Sequence, residues 1–429
     1  MRPSALLSRS VLALMGLIAL GRWSDLDAQD SPTTARVFDS FSNAVVKIEI
    51  LEAGSSAKAV TGSGFVVSRQ GHLITNYHVV SKLIHAPDRY EAVAITADGQ
   101  TYPLTVLDID VVHDLAIAQG DLPVAPSFEL RPVRIDQGLR LYSLGHPLEL
   151  GLTIVEGTYN GLLEHTRYDR IHFTGPINPG MSGGPTITGG GQVVGINVAT
   201  AGNEVSFLIP VDKAIRLTEE ALAADYQRPD DFLPVVRRQI LAHQDSYLAD
   251  LLSEQGETVT MGPYRLPTRP APYFNCWGDA SMDSDTPYEI VDHQCMTDDY
   301  IFVSSDMESG VVQMWHRLLT TEELNRFRFY SLYSDDFQIS DRWFPGSEEE
   351  VTSFVCEDRT VRNDHLPLKV VFCIRRYRKL AGLYDAVIKA AVLGQASVGL
   401  QTSLILSGVS FENATTLMGR YLEAIQWAD

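Results

Sequence analysis

Short apolar runs separated by turn-forming residues fill the chain from Val45 to Pro210. Runs such as AVVKIEI, GFVVS, HLITN, LAIA and QVVGINVA have the length of single β-strands, and Gly, Asp, Asn and Pro stand between them. This spacing favours a barrel or a sandwich. A stretch with helical periodicity, Val211 to Asp225, follows and closes the β-rich part. The sequence therefore predicts a mainly β amino-terminal domain.

The chain has 429 residues, which is long enough for two domains of ordinary size. We assign residues 36–225 to the β-rich domain and residues 226–429 to a second one. The second domain combines a helix candidate, Val235 to Leu252, with strand-like runs such as YIFVSS and LKVVFCIRRY. We interpret Ser309-Gly310 as a hairpin turn and Ser410 as the N-cap of a final helix. This mixture predicts an α+β carboxy-terminal domain.

The amino terminus has the pattern of an export signal. Residues 1–10 contain arginines and no acid, and the apolar run from Val11 to Leu20 follows. That run is too short to span a bilayer in a helix, which takes about 20 residues, but it fits the apolar region of a signal peptide. We predict a signal peptide over residues 1–28, with cleavage after Gly21 or Ala28, and a periplasmic or secreted protein. An uncleaved anchor is the alternative.

Charge and composition narrow the classes of partner. The chain has 34 basic and 54 acidic residues and a net charge of −20, which repels phosphate backbones and anionic lipid. We therefore expect no nucleic-acid partner and no stable membrane span after signal cleavage. The apolar content of 45% is that of a folded protein. The sequence indicates no cofactor and no metal, and it leaves the oligomeric state open.

All four cysteines lie in the second half, at Cys276, Cys295, Cys356 and Cys373. An even number in an exported chain favours disulfides, and four cysteines allow three pairings. We prefer the two sequential pairs, 276 with 295 and 356 with 373. A zinc site is the alternative, although no pair has the C-x-x-C spacing that zinc sites commonly use.

The segment NPGMSGGP, residues 178–185, places a serine among glycines between two apolar strands. A serine hydroxyl becomes a nucleophile when a base removes its proton, and the resulting oxyanion needs backbone donors. Ser182 is the candidate nucleophile, and the main chains of Gly180 and Ser182 are the candidate oxyanion hole. The alternative is a tight turn between strands.

His78 and Asp114 complete a candidate triad. His78 follows a strand-like run, and a histidine there can present a ring nitrogen to a nearby hydroxyl at neutral pH. Asp114 directly precedes the apolar run LAIA, so we expect it to enter the interior and orient the histidine. Asp108 and Asp110 are expected at the surface. The order His, Asp, Ser is the one that chymotrypsin-like enzymes use.

Six segments together resemble the HtrA/Deg-type branch of the trypsin-like serine endopeptidases. They are GSGFVVSRQGHLITNYHVV, HDLAIA, LYSLGHPLEL, INPGMSGGP, QVVGIN and SFLIPVDKA, spread over Ala44 to Leu217. The resemblance implies a chymotrypsin-like double β-barrel of two six-stranded barrels with the active site between them. It also implies the triad of His78, Asp114 and Ser182, protein or peptide substrates, and a role in envelope quality control or processing.

Three features depart from that branch or qualify it. Met181 stands where the branch commonly has Asn, beside the expected oxyanion hole. Residues 226–429 lack the carboxylate-binding loop of a PDZ domain. Pro176 and the uncharged wall NVATAG, residues 197–202, predict a small or aliphatic residue before the cleaved bond. One alternative to an active endopeptidase stays open: a catalytically silent, chaperone-like protease fold. A carboxy-terminal domain that docks a partner is compatible with either.

Overall fold

A computed structural model describes most of the chain. The described ranges are 33–123, 126–202, 205–253, 256–281, 286–338, 344–363 and 366–428. The predicted signal peptide over residues 1–28 lies outside them. No helix in these ranges combines the length and apolar character that crossing a bilayer requires.

The first six strands close into an antiparallel barrel with the order β1-β2-β3-β6-β5-β4. Helix α1 (Thr34–Phe41) precedes them, and α2 (Tyr77–His85) follows β3. Alternate residues of β1, namely Val46, Ile48 and Ile50, point into the barrel core. The strands are β1 (Val45–Glu52), β2 (Lys58–Val66), β3 (His72–Thr75), β4 (Tyr90–Ile95), β5 (Thr101–Asp110) and β6 (Leu115–Gln119).

The next six strands form a second closed barrel with the order β10-β11-β12-β9-β8-β7. Helix α3 (Val211–Ala221) follows and buries Ala214 and Leu217 against strands of both barrels. The strands are β7 (Arg140–Gly145), β8 (Thr153–Leu162), β9 (Ile171–Phe173), β10 (Pro185–Ile187), β11 (Val193–Gly202) and β12 (Val205–Pro210). Two closed six-stranded barrels agree with the predicted double β-barrel.

The carboxy-terminal half is α+β, as expected. Its main sheet has seven antiparallel strands in the order β15-β16-β19-β23-β22-β21-β20, beside a three-stranded sheet, β13-β14-β24, and a separate hairpin, β17-β18. The helices are α4 (Leu233–Ser253), α5 (Arg326–Asp336) and α6 (Phe411–Glu423). The strands are β13 (Thr258–Met261), β14 (Tyr264–Pro267), β15 (Phe274–Ser281), β16 (Glu289–Thr297), β17 (Ile301–Ser304), β18 (Met307–Ser309), β19 (Val312–Thr320), β20 (Val355–Arg362), β21 (Pro367–Arg376), β22 (Tyr384–Val392), β23 (Val398–Val409) and β24 (Gln426–Trp427).

Two disulfides fasten the two edges of the seven-stranded sheet. Cys276 of β15 is bonded to Cys295 of β16, and Cys356 of β20 is bonded to Cys373 of β21. In both pairs the cysteines lie directly opposite each other on neighbouring strands. This is the sequential pairing preferred from the spacing, and it leaves no cysteine for the zinc alternative.

Some local expectations are confirmed and others are wrong. The side chain of Ser410 accepts a hydrogen bond from the backbone N–H of Asn413, which confirms the predicted N-cap. Ser309-Gly310 is not a hairpin turn, because β18 pairs with β17 and the chain then leaves for β19 in another sheet. Asp108 is buried, not exposed, and accepts a hydrogen bond from the N–H of Ile109.

One hydrophobic core joins the first barrel to the carboxy-terminal half. It contains Tyr77 and Val80 of α2 together with residues of α4, such as Val236, and of the β17-β18 hairpin, such as Val303. It also includes Tyr377, Leu380 and Leu383. The division into residues 36–225 and 226–429 stays a prediction, but residues on both sides of the predicted boundary share a core.

Candidate active site

His78 is fixed by Asp114 at two points. The backbone N–H of His78 donates to Oδ1 of Asp114 at 2.8 Å, and its ring Nδ1–H donates to Oδ2 at 2.7 Å. Because Nδ1 carries the proton that faces the carboxylate, Nε2 is left as the acceptor. His78 is the second residue of α2, so a helical turn presents its ring at the end of β3.

Asp114 has a left-handed backbone, with φ at 58°. Few residues other than glycine adopt this conformation, and such strain is common at functional sites. The fold maintains it locally: Nδ2 of Asn76 donates to the carbonyl oxygen of Asp114 at 2.9 Å, and Asp110 caps the preceding turn by accepting from the N–H of His113 at 3.0 Å. The result is a carboxylate turned toward His78.

The environment of His78 shifts its basicity. Burial lowers the pKa of His78, but the negative charge of Asp114 and its hydrogen bond raise that pKa by more, so it lies above the ordinary value of 6.5. A carboxylate that stabilises the imidazolium makes the ring a stronger base toward a neighbouring hydroxyl. Local electrostatics therefore suit proton transfer.

Ser182 lies in a loop that is packed against the strands leading to His78. Its carbonyl oxygen accepts a hydrogen bond from the N–H of Ser63 at 2.8 Å. Gly183 has φ at 84°, and a Cβ there would collide with the carbonyl oxygen of Ser63 and the hydroxyl of Thr75. Only glycine fits this approach. The Oγ of Ser182 donates to the carbonyl oxygen of Val198 at 3.5 Å.

Two carbonyl groups of the loop point away from its N–H groups. The carbonyl of Pro179 accepts from the N–H of Leu148 at 3.1 Å, and the carbonyl of Gly180 accepts from the hydroxyl of Ser63 at 2.7 Å. Because C=O and N–H oppose each other in a trans peptide, the N–H of Gly180 faces the other way. Within the described ranges, the N–H groups of Gly180 and Ser182 donate to no protein acceptor. They are free to bind an oxyanion.

Met181 does not disturb this arrangement. Its side chain is fully buried in the second barrel with Leu141, Phe173 and Ile177. Its N–H donates to the carbonyl of Asn178 at 3.0 Å, which closes the turn. Methionine therefore anchors the loop by apolar packing at the position where the branch commonly has Asn.

Sequence reasoning missed two polar residues that organise the loop. Ser63, between two glycines of β2, bonds to the loop through both its N–H and its hydroxyl. Asn197 of β11 is fully buried, and its Nδ2 donates to the carbonyl oxygens of Leu144 and Met181, each at 3.1 Å. The signal was visible as an isolated polar residue inside each of two strand-like runs, GSGF and VVGIN.

The structure does not test the prediction that Pro176 and residues 197–202 favour a small or aliphatic residue before the cleaved bond. Pro176 is exposed near the start of the loop. The side chains of residues 199–202 fall outside what the structure describes. A small or aliphatic residue before the cleaved bond stays a prediction.

Comparisons with known proteins agree with this geometry. Residues 62–196 match the family model described as a trypsin-like peptidase domain. Serine protease HTRA1 of Xenopus laevis is 33% identical over 206 residues, covering 44% of this chain and 42% of that protein. Protease Do-like 1, chloroplastic, of Arabidopsis thaliana is 31% identical over 210 residues, covering 43% of this chain and 46% of its own length.

Among solved structures, the serine endoprotease from Yersinia pestis matches 44% of this chain and 66% of its own, at 24% identity and a TM-score of 0.38. The chain spans less than half the length of the two curated relatives named above. The region that matches the family model lies within the two barrels, from β2 to β11, and none of it is in the carboxy-terminal half. These findings confirm the resemblance read from the motifs: the chain carries a trypsin-like peptidase domain of the HtrA type.

Proposed function

We propose that this protein is a serine endopeptidase in which Ser182 is the nucleophile, His78 the general base and Asp114 the orienting carboxylate. The observation that carries the proposal is the double hydrogen bond from His78 to Asp114, which leaves Nε2 as the acceptor. The free N–H groups of Gly180 and Ser182 supply the oxyanion hole. The family match supports proteolysis as the reaction class.

The reaction needs only these groups. Nε2 of His78 takes the hydroxyl proton of Ser182 while Oγ bonds to the carbonyl carbon, and the carbonyl electron pair moves onto oxygen, facing Gly180 N–H and Ser182 N–H. Collapse breaks the C–N bond, and the amine takes the proton from Nε2. Water then repeats both steps, which releases the acid and restores the serine hydroxyl.

The hydroxyl of Ser182 must turn before it can transfer its proton to His78. At 3.5 Å its hydrogen bond to the Val198 carbonyl is at the long limit of such bonds, so breaking it takes little free energy. The direction of this hydroxyl, toward Val198, is also the one observation that favours the second candidate, a catalytically silent protease fold that binds proteins as a chaperone would.

We further propose that the enzyme is exported, to the periplasm or the medium, and acts in envelope protein quality control or processing. Two disulfides support export, because disulfides persist in oxidising compartments. The apolar run at residues 11–20 supports it independently.

Labelling with a fluorophosphonate probe tests the proposal. The folded wild type is expected to react, whereas Ser182→Ala and His78→Ala proteins are not. Ser55→Ala, which changes an exposed serine, is the matched control and is expected to label like wild type. A folded wild type that does not label would favour the silent protease fold.

A further inference from the structure

An aromatic side chain from the carboxy-terminal half contacts the ring of His78 in an edge-to-face arrangement. The ring centroid of Phe302, in β17, is 5.9 Å from that of His78, with an interplanar angle of 67°. Phe302 contacts Tyr77 in the same edge-to-face manner at 6.4 Å. Both distances are within the range of favourable aromatic pairs. This contact joins two parts of the chain that no motif connects.

The β17-β18 hairpin is held rigidly enough to position that ring. The hydroxyl of Tyr77, which is fully buried, donates to the carbonyl oxygen of Val303 at 2.9 Å. Ile301, Val303 and Met307 are buried in the core shared with the first barrel. Both neighbours of Phe302 in the chain are therefore held in place: Ile301 and Val303 are buried, and the carbonyl of Val303 is also hydrogen-bonded to Tyr77.

The two hydrogen bonds that His78 donates to Asp114 do not by themselves define the direction of Nε2. The ring bond holds only one edge of the imidazole, at Nδ1, so the ring can still tilt about that contact. A second contact against the ring removes this freedom. Phe302 supplies such a contact, and about a quarter of the His78 side chain stays accessible beside it, at 25%. A substrate can still reach the ring.

We propose that Phe302 is a positioning residue for His78, and that the carboxy-terminal half completes the active site through the β17-β18 hairpin. The consequence for turnover rests on the proposed function. The geometric part does not, because the orientation of the His78 ring exists whether or not the protein hydrolyses peptides.

Kinetics of the full-length protein test the catalytic consequence. Phe302→Ala is expected to lower kcat about 10-fold, the factor that loss of about 1.4 kcal/mol of aromatic contact gives, with KM within about 2-fold. Phe302→Leu keeps most of the volume and is expected to stay within about 3-fold of wild type. Phe327→Ala, which removes a ring that is 85% exposed on α5, is the matched control and is expected to change nothing.

Proton NMR tests the geometry without turnover. The Nδ1–H of His78 in its hydrogen bond to Asp114 is expected to give a low-field resonance in wild type and in Phe327→Ala, and a broadened or missing one in Phe302→Ala. Tyr77→Phe, which removes the hydroxyl that bonds to the carbonyl of Val303 and to Nε2 of His85, is expected to broaden it partly. Thermal unfolding verifies that each variant is folded.

The outcomes separate the two proposals. A wild type that shows the resonance but does not label with fluorophosphonate would refute proteolysis. The positioning claim would then be decided by the NMR resonance of the Phe302 variants alone. A folded Phe302→Ala with unchanged resonance and kcat would overturn the positioning claim. If Phe302→Ala does not fold, the resonance of Tyr77→Phe decides in its place, and a folded Tyr77→Phe protein with the wild-type resonance would overturn the claim.

Discussion

The hydroxyl of Ser63 donates to the carbonyl oxygen of Gly180 at 2.7 Å and at the same time accepts from the N–H of His146 at 2.9 Å. The backbone N–H of Ser63 holds the carbonyl of Ser182. One fully buried residue in the first barrel therefore holds, through its hydroxyl and its backbone, the peptides that follow Gly180 and Ser182, whose N–H groups form the proposed oxyanion hole.

Replacing Ser63 tests this relationship. Ser63→Ala removes the donor to Gly180 and is expected to lower kcat about 10-fold, less than the roughly 100-fold loss typical when an oxyanion donor itself is removed. Steady-state kinetics with a peptide substrate measure it, with Ser55→Ala as the exposed control. An unchanged kcat in a folded Ser63→Ala protein would show that the loop holds its shape without this hydroxyl.

The pH dependence of hydrolysis tests the pair His78 and Asp114. Because the pKa of His78 is raised, the acidic limb of kcat/KM is expected above pH 6.5. Asp114→Asn removes the carboxylate and leaves burial, which lowers the pKa, so the limb is expected below pH 6.5 and kcat to fall by about 10³ to 10⁴. A limb that keeps its position in Asp114→Asn would assign it to another group.

Buried neutral histidines predict acid sensitivity. Burial lowers the pKa of His146 and of His316 to about 4, below the 6.5 of an unfolded histidine. The unfolded state therefore binds more protons between pH 6.5 and pH 4, and stability falls as the pH falls through that window. Each group adds about 1.4 kcal/mol per pH unit to the loss. Urea unfolding at several pH values measures the slope, and His146→Gln is expected to reduce it; an equal slope would contradict the assignment.

The disulfides are expected to contribute similar stability. They close loops with sequence separations of 19 and 17, and loops of this size are stabilised by about 3 kcal/mol each in the chain-entropy model. Replacing Cys356 and Cys373 together with Ala is expected to lower the free energy of unfolding by that amount without abolishing hydrolysis. Urea unfolding measures it, with the equivalent change at Cys276 and Cys295 as the comparison. Little loss from either pair would mean that the sheet edges hold without them.

The β-rich first half, the candidate triad residues and the presence of disulfides could be predicted because each leaves a local mark in the sequence, whereas the two closed barrels were implied by the resemblance to the HtrA/Deg-type branch. Strands carry apolar periodicity, the nucleophile lies among glycines, and paired cysteines come in even numbers. Tyr77 and Val303 are 226 residues apart in the sequence, so no local sequence pattern indicates the hydrogen bond between them. The prediction of a hairpin turn at Ser309-Gly310 was wrong for the same reason. After β18 the chain enters β19, whose partner strands lie in the seven-stranded sheet and are distant in the sequence.

The hydrophobic core that joins the first barrel to the carboxy-terminal half has a consequence for a chain that is still being synthesised. Ribosomes make a chain from its amino terminus, and His78, Asp114 and Ser182 all emerge before the hairpin that supports His78. A nascent chain with both barrels still lacks Ile301, Val303 and Met307, so part of the core beneath α2 is missing. Such a chain also lacks the contact of Phe302 with His78, so we expect the two barrels alone to hydrolyse peptides more slowly than the complete protein.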